Sequence, residues 1–120
     1  MINQQILRDR TKYFAIEVIK FSKSLTGSFE SRIIIRQILR SCTSMAANYR
    51  AACRGRSKAE YYAKLCIVLE EADETLFWFE ILVESEISDN LPTKDLLVKA
   101  SELVKIFSAA RKTIKQNLKT

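Results

Sequence analysis

The 120-residue sequence contains no histidine. That absence removes Ser-His-Asp triads, imidazole zinc sites and the Glu-x-x-His ligands of di-iron bundles together. Glycine occurs only twice and proline once, too few for the turns of an all-β fold or for a phosphate-cradling loop. No apolar run reaches the length a bilayer needs, and the N-terminus lacks the basic, apolar and small-residue order of a secretory signal. The expectation is a soluble, cytoplasmic chain with no membrane partner. The three cysteines are an odd number, and Cys42 and Cys53 stand about three helical turns apart, too far to bridge and without metal-ligand spacing. They read as small buried residues in a reducing compartment, and neither a metal nor a cofactor is expected.

What the chain does have is uninterrupted helical pattern between Gly27, Gly55 and Pro92. The first helix is predicted from about Arg8 to Leu25, stopping at Thr26-Gly27-Ser28. The second runs from about Phe29 to Arg54. Ser57-Lys58-Ala59-Glu60 has the spacing of a capping box, so a third helix begins there and continues to about Glu86. Thr93 is the expected N-cap of the last helix, whose apolar stripe is Leu96, Leu97, Ala100, Leu103, Val104, Phe107, Ala110 and Ile114. Four helices with short connections in one domain predict an all-α, antiparallel up-down-up-down four-helix bundle over residues 1–120.

The second helix is unusual around its circumference. At 100° per residue, Ile34, Ile38, Cys42, Met45, Tyr49 and Ala52 form the stripe that faces the bundle core. Ile35, Leu39, Ala46 and Cys53 widen it on one side. On the other lie Gln37, Ser41, Ser44, Asn48 and Ala51, all uncharged and mostly small. Only Arg32, Arg36, Arg40, Arg50 and Arg54, in an arc of about 80°, are committed to water. Such a helix has more uncharged surface than one core accepts, and small side chains let a second backbone approach closely, so another copy of the chain is the expected cover.

Charge is segregated along the chain. Residues 1–64 carry a net +9, residues 65–95 a net −8 and residues 96–120 a net +5, for +6 overall. Nine of the fourteen acids therefore sit on the third helix, the turn after it and the start of the fourth, at Glu70, Glu71, Asp73, Glu74, Glu80, Glu84, Glu86, Asp89 and Asp95. A basic face of one subunit against an acidic face of the next would make a heterologous contact, and such contacts close into rings. The subunit-interface candidates are Ser41, Ser44, Asn48, Tyr49, Glu70, Glu71 and Glu74.

Three stretches carry a resemblance: Arg40-Ser41-Cys42-Thr43-Ser44-Met45-Ala46-Ala47-Asn48-Tyr49-Arg50, Arg56-Ser57-Lys58-Ala59-Glu60-Tyr61, and Lys64 through Trp78 (KLCIVLEEADETLFW). Over about Arg36 to Leu82 the chain resembles the bacterial four-helix-bundle proteins encoded in intervening sequences of large-subunit ribosomal RNA genes. The accessory variability protein of diversity-generating retroelements is similar to that family. The resemblance implies an antiparallel four-helix subunit and a barrel-like homopentamer. For the retroelement relative it further implies a basic surface that binds nucleic acid and a reverse transcriptase. Ala51 departs from the pattern, since the family often has an acid after the Asn-Tyr-Arg stretch.

Independently of the resemblance, a net charge of +6 favours polyanionic partners. Arg32, Arg36, Arg40, Arg50 and Arg54, extended past the turn by Arg56 and Lys58, are the nucleic-acid-binding candidates, with basic Arg111, Lys112, Lys115 and Lys119 of the fourth helix as the next best. One of Tyr61 and Tyr62 is expected to face outward, where a base could stack or an interface could cover it. Phosphate contacts would dominate, so sequence preference should be weak. Both helices flanking Gly55 are too long for a helix-turn-helix reader. Glu70, Glu71 and Glu74 lack a matching acidic pair on another helix to complete a metal site, and Trp78 between Phe77 and Phe79 reads as packing. The sequence thus predicts a non-enzymatic oligomeric scaffold that carries RNA or DNA, and a nucleic-acid enzyme, on a basic face. The competing reading is a purely structural homo-oligomer whose partner is another protein.

Overall fold

A computed structural model describes residues 3–25 and 27–119 of the chain. Among them are four helices and no strand: α1 (Gln4–Ser22), α2 (Phe29–Cys53), α3 (Lys58–Glu84) and α4 (Leu91–Leu118). They pack as an up-down-up-down four-helix bundle about 51 Å long and 22 by 21 Å across.

Each start is fixed by a short polar side chain that accepts from an amide the first turn leaves unpaired. Asn3 Oδ1 accepts from Ile6 N–H at 2.9 Å and Ser28 Oγ from Ser31 N–H at 3.0 Å. The predicted capping box forms with one shift: Ser57 Oγ accepts from Glu60 N–H at 3.1 Å, while Glu60 Oε2 accepts at 2.6 Å from the amide of Arg56, one residue before the N-cap. At α4 the structure corrects the expectation. Asn90, not Thr93, is the N-cap, and Pro92 follows in the first turn, where its missing amide hydrogen costs nothing. Thr93 is instead buried, its hydroxyl shared between Asn90 Oδ1 at 2.7 Å and Ser88 Oγ at 2.6 Å.

Two other boundaries move. α1 begins four residues earlier than predicted, at Gln4, and ends at Ser22, before Leu25; of the predicted stop, Thr26 lies outside the described residues, and Gly27 adopts a left-handed φ of 106°. α3 ends at Glu84, because Glu86 turns into the left-handed region at φ 64° and its amide donates to Val83 C=O at 3.1 Å.

The core is built as the wheel of α2 predicts: Ile34, Ile38, Cys42, Met45, Tyr49 and Ala52 are all buried. Burial of each large side chain contributes roughly 1.5–3 kcal/mol. Aromatic pairs span both diagonals of the bundle, Phe21 of α1 against Phe79 of α3 at 5.9 Å between ring centroids, and Tyr49 of α2 against Phe107 of α4 at 5.2 Å. Around the perimeter, α2 packs closely on α3, α3 on α4 and α1 on α2, whereas α1 and α4 barely approach each other. No helix is long and apolar enough to cross a membrane among the described residues.

Candidate nucleic-acid interface

The outward arc of α2 exists because every core-facing position on that helix is apolar or small, which leaves the arginines no direction but solvent. Arg32, Arg36, Arg40, Arg50 and Arg54 are all exposed, as are Arg56 and Lys58 beyond the turn. They are not equivalent. Arg40 Nη2 donates to Glu74 Oε2 at 2.6 Å, and its Nη1 lies 3.5 Å from Glu71 Oε2, both within the same chain. The hydrogen bond from Arg40 holds the Glu74 carboxyl below its ordinary pKa, and Glu74 and Glu71 raise that of the guanidinium in turn. Arg40 is therefore a neutralised rung in the arc. Arg32 leans back over the loop and donates to Gly27 C=O at 3.1 Å.

The lower half of the arc differs. A groove of about 500 Å³ runs between α1 and α2, lined by Arg8, Asp9, Lys12, Ala46, Ala47, Arg50 and Arg54. Antiparallel packing brings the start of α1 beside the end of α2, and the methyl side chains of Ala46 and Ala47 leave the floor low. Four cations surround one acid, and none of the four has a carboxylate within 4 Å among the described residues. Asp9 accepts from Gln5 Nε2 at 3.1 Å, and Arg8 donates to Gln5 Oε1. Arg8 and Lys12 escaped the sequence reading. Their signal was a basic pair at i, i+4 on the outer face of α1, legible only once α1 is known to lie beside Arg50 and Arg54.

The interface candidates divide. Ser41 and Tyr49 are corrected: both are fully buried and have no surface to offer a second subunit. Ser41 faces α3 and meets Thr75, and the Tyr49 hydroxyl lies 3.3 Å from that of Tyr61. Burial and that neighbour push the Tyr49 phenol well above its ordinary pKa. Glu71 and Glu74 hold Arg40 of their own chain, so they are committed within the subunit. Ser44 and Asn48 remain half-exposed, locked together by Asn48 Nδ2 donating to Ser44 C=O at 2.9 Å and Oγ at 3.1 Å. Glu70 is exposed and unpaired among the described residues.

Neither tyrosine at the start of α3 stands free. Tyr61 is half-buried, edge-on to Tyr49. Tyr62 is half-buried beside Cys66, whose hydrogen bond raises the phenol pKa against the opposing pull of Arg111. Arg111, Lys112 and Lys115 are exposed on the last turns of α4, and Lys119 is exposed at its C-cap. No cluster of three or more His, Cys, Asp or Glu side chains is placed to hold a metal ion among the described residues.

A family model described as 23S rRNA-intervening sequence protein matches residues 3–109. Among solved structures, the chain is similar to a protein of unknown function from the S23 ribosomal protein family of Bacteroides thetaiotaomicron. The two share 30% identity at a TM-score of 0.82, over 92% of this chain and 99% of the other. No curated protein matches the chain.

Proposed function

The chain belongs to the 23S rRNA-intervening sequence protein family, and from that premise we propose a non-enzymatic helical scaffold, assembled from several copies, that holds an RNA or DNA backbone in the groove between α1 and α2. The observation that carries the proposal is that Arg8, Lys12, Arg50 and Arg54, around a floor of alanines, form no ion pair among the described residues. Cations left without acids on a surface that holds acids elsewhere are suited to exchanging counterions for phosphates. Arg36 above the groove and Arg56 and Lys58 below it lengthen the track, while Arg40 is withheld by its own carboxylates. Contacts of this kind position a backbone without reading bases.

Assembly would multiply the groove, and linked copies raise avidity even where each contact is weak. The surface available for it is the half-exposed Ser44 and Asn48 edge of α2 together with the acidic outer face of α3, at Glu70, Asp73 and Glu80. The resemblance favours five subunits in a ring, with a nucleic-acid enzyme such as a reverse transcriptase as a passenger.

The test titrates a labelled single-stranded RNA at several salt concentrations against the wild type and the Lys12→Ala, Arg50→Ala, Arg54→Ala triple variant. The variant should keep its helical content and its mass by light scattering, bind more weakly, and lose roughly 0.7 in the salt slope for each phosphate contact removed. Unchanged affinity and slope overturn the groove. A wild type that assembles without any salt-sensitive binding supports the structural homo-oligomer instead, and a 13.8 kDa monomer overturns assembly.

A further inference from the structure

Beyond that reading, and sharing with it only Arg56 and Lys58 at one end, the seam between α1 and α4 holds a second concavity of different chemistry. In the half of the seam nearer the α3–α4 turn, Arg10 pairs with Glu102 and Lys99 with Glu17 at 3.0 Å, which ties the two helices. Toward the N-terminus of α1 the helices are bridged by no such pair among the described residues, and a cleft of about 630 Å³ opens. Its walls are Leu7 on one side and Ile106, Ala110 and Ile114 on the other, and the hydrogen-bonded Tyr49 and Tyr61 close its floor.

The cleft continues into a smaller concavity of about 390 Å³ that shares Gln4, Tyr61 and Ile114 with it and ends at Arg56 and Lys58 on the α2–α3 turn. Neither cation has a carboxylate within 4 Å among the described residues. The nearby Glu60 carboxylate is turned onto the Arg56 backbone amide. One continuous depression is thus mostly apolar along its length, with Asn3, Gln4 and Thr113 also in its lining, and cationic at one mouth.

We propose that this depression binds a free medium-chain carboxylate, with the acyl chain between Leu7 and Ile106, Ala110 and Ile114 and the carboxylate head at Arg56 and Lys58. The volume lies in the range of ordinary ligand pockets. Ile106 to Ile114 spans about 12 Å at the helical rise, the length of an extended chain of about ten carbons. A nucleobase fits the chemistry less well: the Tyr49 ring is fully buried and the remaining walls are mostly aliphatic, so little aromatic face is open for stacking. A cationic or neutral amphiphile would forgo the charge at the mouth.

The experiment titrates decanoate into the intact protein by calorimetry, alongside octanoate, decyltrimethylammonium and vesicles of phosphatidylglycerol with phosphatidylcholine. Decanoate should saturate one site per chain. Octanoate should bind about fifteenfold more weakly, from a loss of about fourfold for each of two methylenes. Decyltrimethylammonium should not saturate, and the protein should not sediment with the vesicles. Ala109→Trp, placed at an exposed lining position so that folding is preserved, should abolish decanoate binding; Thr113→Trp, one turn further along the same wall of α4, serves the same purpose. Arg56→Glu with Lys58→Glu should weaken decanoate by at least about tenfold while helical content holds. Absence of saturation, equal binding of the cationic amphiphile, survival of binding in both tryptophan variants, or vesicle binding in place of decanoate binding overturns the proposal.

Discussion

Ser41 Oγ on α2 and Thr75 Oγ1 on α3 lie 2.7 Å apart, with neither residue reaching solvent. Two hydroxyls in an apolar interior are tolerated because they satisfy each other, Thr75 also donating to Glu71 C=O at 2.8 Å and Ser41 facing Ile38 C=O at 3.3 Å. Replacing one leaves the other with only its backbone carbonyl. Thr75→Val and Ser41→Ala should each cost about 1–2 kcal/mol in urea unfolding. The double variant should cost less than the two together, by at least about 0.5 kcal/mol. Strict additivity would mean that the pair is not coupled.

The Arg40 and Glu74 pair makes stability depend on acid. Since the Glu74 carboxyl is held below its ordinary value by Arg40, its contribution is complete above the unfolded carboxylate pKa and is lost as pH falls through the lowered folded value. Glu74→Gln should therefore be less stable than wild type at pH 7, and the difference should shrink toward pH 3 in parallel denaturant titrations. A difference independent of pH would assign the effect to packing.

Cys42 is expected to be chemically silent in the folded protein. Burial pushes its thiol up to about 12, and thiolate is the reactive form. Iodoacetamide at pH 8 should modify half-exposed Cys53 and Cys66 and spare Cys42 until denaturant is added, as peptide mass mapping would record. The same raised value makes the folded state lose stability above the unfolded thiol pKa, near 9, toward about 12; Cys42→Ala should flatten that alkaline limb.

Glu86 sits at φ 64° immediately after the α3 cap. A side chain is strained there and glycine is not, so Glu86→Gly should raise stability by about 1 kcal/mol. Gly27, at φ 106° with no atom within 4 Å of a Cβ position, is the converse. Gly27→Ala should destabilise by about 1 kcal/mol through the backbone alone, and equal stability of either variant with wild type would contradict this reading of the turn.

The local rules of the chain were readable without a structure. Two glycines and one proline left only helices, the period of Ile34, Ile38, Cys42, Met45, Tyr49 and Ala52 marked the core stripe of α2, and Ser57 with Glu60 announced the start of α3. Those features depend on neighbours within one or two helical turns, so the sequence by itself determined them. Where short polar residues compete for one cap, as Asn90 and Thr93 do, pattern alone chose wrongly: Thr93 is drawn inward by Ser88 and Asn90 supplies the oxygen. Which side chain meets which across helices was decided only in three dimensions. Helix lateral packing brought Glu71 and Glu74 to Arg40, removing three residues from the list of free charges, and set Ser41 against Thr75, turning a supposed outer serine inward. It also set Arg8 and Lys12 beside Arg50 and Arg54. The sequence carries no record of these pairings because they join positions 31 to 46 residues apart, where only the rotation and offset of packed helices determine proximity.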